Sequence, residues 1–92
     1  MELKNESAAG LAEVRLAEWR RVNYRDWCAM LDDRDVRHAI GDDGKRYHVV
    51  SHALDDGDGR IRMSVAVDDG TRSAFVPLVR DEIMNADGTF VE

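Results

Sequence analysis

Three histidines, one cysteine and a set of repeated Asp-Asp-Gly triplets are the side chains of this 92-residue chain that proton-transfer, thiol or metal chemistry would use. The histidines are His38, His48 and His52. An imidazole changes charge near neutral pH, which suits it to general acid–base work. His48-Val49-Val50-Ser51-His52 has the four-residue spacing that brings two imidazoles onto one zinc ion when the segment is helical. On a strand the two residues share a face but stand roughly 13 Å apart, at ~3.3 Å per residue, too far for a single ion. No Glu follows His48, so the metalloprotease motif is not formed.

The triplets begin at Asp42, Asp55 and Asp68, successive copies lying 13 residues apart. Around the second, Asp56, Asp58, Gly59 and Ile61 match inner positions of a helix–loop–helix calcium loop. Leu54 and Val65 then stand where that loop needs its first and last carboxylates. The triplets are therefore read as turns, and so is the acidic cluster Asp32, Asp33 and Asp35. Cys28 is the only cysteine, which excludes an intramolecular disulfide, and it reads as a small buried hydrophobe. No Ser-His-Asp signature, phosphate-cradling glycine loop or dinucleotide fingerprint occurs. The expectation is no metal site, no cofactor and no catalytic residue.

The elements that position these residues follow from periodicity. Ala8, Ala12, Leu16 and Trp19 recur at helical steps, with Ser7 as N-cap and with Glu13, Arg15, Glu18, Arg20 and Arg21 mostly off that face. Tyr24, Trp27, Cys28 and Leu31 form a second helical stripe, rotated from the first. Asn23 at the junction, followed by Asp26, has the form of an N-cap. The prediction is a helix over about 8–22, a break at Asn23 and a second segment to about Leu31. One curved helix is the alternative. His38 falls on the apolar face of the first strand in the register given next.

After Asp35 the period becomes two. Asp-Gly between alternating segments is the strongest short hairpin signal. A turn at Asp43-Gly44 sets Ile40 opposite Tyr47 and His38 opposite Val49. A five-residue turn over Asp55–Gly59 sets Ala53 opposite Ile61. A turn at Asp69-Gly70 sets Val65 opposite Ala74 and Ile61 opposite Leu78. These registers gather the apolar residues on one face. The fold expected is α+β: the N-terminal helix, kinked or broken near residue 23, on one face of a four-stranded antiparallel meander. Its strands lie near 35–40, 46–54, 60–67 and 72–78, in a single domain covering 1–92. Pro77 ends the fourth, edge strand, "VRDEIMN" forms a helical turn, Asp87-Gly88 makes a last turn, and Phe90 tucks back onto the body.

Composition bounds what such a fold can do. The chain is long enough for one modest core, burying roughly 60–68% of its unfolded surface. Lys plus Arg number 13 against 19 Asp plus Glu, a net charge of −6, so nucleic acid is not the favoured partner. The opening residues Met1–Gly10 lack the basic and apolar regions of a secretory signal, and no uncharged run approaches the ~18 residues of a membrane span. A soluble, cytoplasmic protein is expected.

The sheet's other face then carries Arg37, Ala39, His48, Val50, His52, Leu54, Arg62, Ser64, Ala66 and Phe75, with no acid within the strands. Arg and aromatic residues are enriched in interface cores while Lys and Glu are depleted. The expected binding surface is Arg37, His48, Val50, His52, Arg62 and Phe75. It points to a small binding or regulatory module acting through self-association or a protein partner, as a homodimer or an accessory subunit. An acidic inhibitor or immunity-type protein capping a basic partner is the alternative. An enzyme using His48, His52 and Arg62 ranks third.

Overall fold

A computed structural model of the chain describes residues 6–70 and 77–91. Helix α1 spans Glu6–Arg20 and helix α2 spans Tyr24–Ala29, and four strands follow: β1 Arg34–Ile40, β2 Arg46–Gly57, β3 Arg60–Asp68 and β4 Leu78–Met84. The strands form one antiparallel sheet in the order β1-β2-β3-β4, with α1 packed on one face. The predicted α+β architecture is the observed one.

The helix is broken, not curved. The Asn23 side chain accepts a hydrogen bond from the Asp26 backbone N–H at 2.9 Å, the N-cap geometry that starts α2 afresh. Ser7 lies within the first turn of α1 rather than at its cap. Ala8, Ala12, Leu16 and Trp19 are all buried, as their spacing predicts, against Tyr47, Val49, Met63, Val65 and Val67 of the sheet. Trp27 is fully buried, and Phe90 closes on it with ring centroids 5.8 Å apart. The two indoles also satisfy buried polar atoms. Trp19 Nε1 donates to Ser51 Oγ at 3.0 Å, and Trp27 Nε1 donates to the Trp19 carbonyl at 2.9 Å.

Arg15 departs from its expected solvated position, because it flanks Leu16 on the side of α1 that overhangs β1. It is only 7% exposed, donates to Asp35 Oδ2 at 2.9 Å and lies 4.5 Å over the Trp19 ring. Two carboxylates, Asp35 and Glu18, neutralise it there.

The registers decide which face each side chain meets. At the first hairpin Ile40 pairs with Arg46, His38 with His48 and Val36 with Val50, one residue away from the expected register. The cause is the loop. Gly41 N donates to the Lys45 carbonyl and Gly44 N to the Gly41 carbonyl, both at 2.9 Å, and Gly44 has φ 78°. This is a three-residue loop, Asp42–Gly44, with glycine in the left-handed position, not a two-residue turn. A slip of one turns every side chain of β1 over. Arg37 and Ala39 thus lie on the helix side, opposite Val49 and Tyr47, and His38 lies on the open side.

At the second hairpin the two-residue turn is Asp58-Gly59, with φ 54° and 77°, the pair of positive values a type I′ turn needs. Ala53 therefore pairs with Met63 instead of Ile61, a slip of two that keeps every face. The fourth strand lies further along the chain than expected. The segment predicted as a helical turn is β4, and Ile61 pairs with Met84, not Leu78. Pro77 precedes this strand rather than ending it, and β4 is still an edge. Its pattern was hard to read because Arg80 and Glu82 occupy the helix-side phase between buried Leu78 and Met84. Glu82 is held there by Arg20 of α1 at 2.8 Å. The Asp87-Gly88 turn is present, repeating the Gly41–Lys45 hydrogen-bond pattern from Asn85 to Thr89.

Candidate functional site

With the registers fixed, the open face reads as rows of side chains crossing the strands. The central row is Val36–Val50–Ala66–Val79, one residue from each of the four strands. On one side lies His38–His48–Asp68, and on the other Arg34–His52–Ser64–Asp81. Beyond the second comes Leu54–Arg62–Ile83, and beyond the first Ile40–Arg46. All three histidines of the chain stand on this face, flanking an apolar stripe.

Of the expected surface, His48, Val50, His52 and Arg62 are on the open face. Arg37 is not. It points to the helix side, where it meets Asp35 at 3.1 Å and Glu18 at 3.8 Å. Phe75 lies outside the described residues. The expected neighbours also change: Val50 has Val36 beside it rather than Arg37, and His52 has Ser64 rather than Arg62. The strands do carry acids on this face, Asp56, Asp68 and Asp81, contrary to the sequence expectation, because β2 and β3 run on past their expected ends and β4 supplies different residues from those assigned to it.

The polar groups fall into held and unheld sets. Asp68 Oδ1 lies 3.1 Å from His48 Nδ1 and accepts the Gly70 backbone N–H at 2.9 Å. A carboxylate only accepts, so Nδ1 is the donor in this contact. His38 meets the His48 ring edge-on at 5.0 Å between centroids. Arg62 is fixed between Asp81 at 2.7 Å and Asp56 at 3.2 Å. The hydrogen bonds it donates to Asp81 and then to Asp56 raise its guanidinium above the ordinary arginine value, so it stays a cation. Arg34 and Arg46 have no carboxylate within ion-pair distance among the described residues.

Relief is shallow. A depression of about 370 Å³ is lined by Asp32, Arg34, Val50, His52, Leu54 and Ala66. A cleft of about 550 Å³ at the α1–α2 turn is larger but has no histidine, and its Arg20 is already engaged by Glu82. Among the described residues no group of three or more His, Cys, Asp or Glu is arranged to hold a metal ion. The turn aspartates are engaged locally instead. Asp43, Asp55, Asp68 and Asp87 each accept a backbone N–H two residues on.

Sequence reasoning missed Val36, Ile40, His38, Arg34, Val79 and Asp81 as members of this face. The signal that finds the first four is the position of Gly44. A glycine third in Asp42-Asp43-Gly44 fits the left-handed end of a three-residue loop, and that loop turns Val36 and Ile40 outward. Among the described residues no helix is long and apolar enough to cross a membrane. No family model matches the chain, and neither a curated protein nor a solved structure matches it.

Proposed function

We propose that the protein is a small binding module that engages another protein surface through the open face of its sheet. One observation carries this reading: a four-residue apolar row spans the full width of a face that no element of the described chain covers. Val36, Ile40, Leu54 and Val79 are 50%, 69%, 44% and 43% exposed, and together they make up most of the large apolar side chains left in water among the described residues. A row of that kind flanked by Arg and His has the composition of an interface core with a polar rim. The catalytic alternative draws on His48, His52 and Arg62, but among the described residues these sit on an open face with no more than a shallow depression beside His52. The acidic-cap alternative is weakened because the turn aspartates already serve their own backbones.

The test compares Val50→Lys with Val14→Lys, the latter on an exposed apolar residue of α1, 61% exposed, away from the face. Both variants should fold. Chemical cross-linking and sedimentation, on the pure protein and in cell extract, should show association lost for Val50→Lys and kept for Val14→Lys. The opposite pattern would move the site off the sheet.

A further inference from the structure

Resting on that reading, we infer that the occupant of the face is a second copy of this chain, stacked sheet to sheet about a two-fold axis parallel to the strands. A closed two-fold has no translation along its axis, so each cross-strand row must meet its own row in the partner. With the axis between β2 and β3, β1 of one copy lies over β4 of the other, and β2 over β3. The apolar row then closes on itself, Val36 against Val79 of the other copy and Val50 against Ala66. In the next row Arg34, which has no ion-pair partner among the described residues of its own chain, meets Asp81, and His52 meets Ser64. His48 meets Asp68 in the row on the far side.

The charge order of the face selects this axis. The unheld cations Arg34 and Arg46 lie on β1 and β2, and the carboxylates Asp68 and Asp81 on β3 and β4, while Asp56 at the end of β2 is taken by Arg62. Turning the copy about an axis across the strands instead puts Arg34 over His38, His52 over His48 and Ser64 over Asp68, cation against imidazole with no carboxylate to meet it. Twisted sheets stack with strands within about 30° of each other, which the parallel axis allows. Four strands at ~4.8 Å spacing and seven residues at ~3.3 Å give a face of roughly 19 by 23 Å. Corrugated by side chains, that is at the lower end of specific interfaces, about 600 Å² per partner.

The experiment is a charge-swap mixture followed by sedimentation equilibrium. The wild-type chain should be a dimer at micromolar concentration. Arg34→Asp places two like-charged pairs in the contact, and Asp81→Arg does the same with the opposite sign. Each variant alone should bind itself at least about tenfold more weakly, since facing like charges oppose docking. In an equimolar mixture the introduced aspartate of one chain faces the introduced arginine of the other. The native Asp81 of the first chain then faces the native Arg34 of the second, so both pairs are restored. The mixture should form a heterodimer of near wild-type affinity. A wild-type chain that stays monomeric to high micromolar concentration overturns the second copy as occupant, and leaves the binding-face reading to its own test with Val50→Lys. A wild-type dimer that both variants keep, or a mixture that stays monomeric, overturns the two-fold arrangement.

Discussion

Trp19, Ser51 and Trp27 form a chain of hydrogen bonds that crosses the core. Ser51 is fully buried, and its Oγ receives the Trp19 indole N–H. Trp19→Phe leaves that hydroxyl without its donor, which should cost about 1–3 kcal/mol in urea unfolding beyond the smaller ring's packing loss. The double variant Trp19→Phe/Ser51→Ala should cost less than the sum of the singles, because it leaves neither polar group stranded. Strict additivity would mean that the bond contributes nothing. Asp87 offers a pH handle. Its carboxylate accepts from Thr89 Oγ1 at 2.6 Å and from the Thr89 N–H at 2.9 Å, and these hold it below the usual carboxylate range. A folded-state value depressed below the unfolded one adds stability at pH above the unfolded value. That stability is lost as pH falls through the folded value. Thr89→Val removes the larger cause, so carboxyl NMR titration should show Asp87 moving up toward the ordinary carboxylate range. An unmoved midpoint would assign the depression to the backbone alone. Residue types of this kind were legible in the sequence as turn formers and core rings. Their partners were not, because Trp19 and Ser51 are separated by 32 positions.

At the scale of the element, the sequence pointed to a kink or short break at Asn23, with one curved helix as the alternative, and to four strands; the structure carries the break and the four strands. The sequence put the wrong face of β1 against the helix, since Val36, His38 and Ile40 form the more apolar phase of Val36-Arg37-His38-Ala39-Ile40. An apolar phase is ordinarily assigned to the core. Here loop geometry turned it outward, and only the hydrogen bonds of Gly41 and Gly44 distinguish the two outcomes. The even slips at the other hairpins did no such damage, because a sheet repeats every two residues. Glycine replacements should report this difference with opposite signs. Gly44 sits at φ 78° with no atom within 4 Å of where a methyl group would stand, so Gly44→Ala meets only backbone strain and should cost about 1 kcal/mol. Gly44→Asn should cost less, since asparagine visits that region. Gly10 lies on the exposed side of α1, again with open space around it, and Gly10→Ala should stabilise by about 0.5–1 kcal/mol. Thermal melts of the three variants check both signs. Equal effects at Gly44 and Gly10 would mean that the left-handed turn does not set the β1 register.

For the whole molecule, the two faces of the sheet divide the work of folding and of binding. The helix side buries Tyr47, Val49, Met63, Val65 and Val67, so stability resides there. The open side keeps Val36 and Val79 about half in water, where they add little to the fold of a lone chain. Replacing both with lysine should therefore change the unfolding free energy of the dilute protein by no more than about 0.5 kcal/mol. If a second copy covers this face, the consequence appears only with concentration. An association that favours the folded state raises the melting temperature by mass action, so the wild-type Tm should climb as the protein is concentrated. The Val36→Lys/Val79→Lys chain places four ammonium groups in the contact and should melt at one temperature throughout the same series. Parallel rises in both proteins would locate self-association elsewhere on the surface. A flat wild-type line beside an equally flat variant would give the face to a different partner.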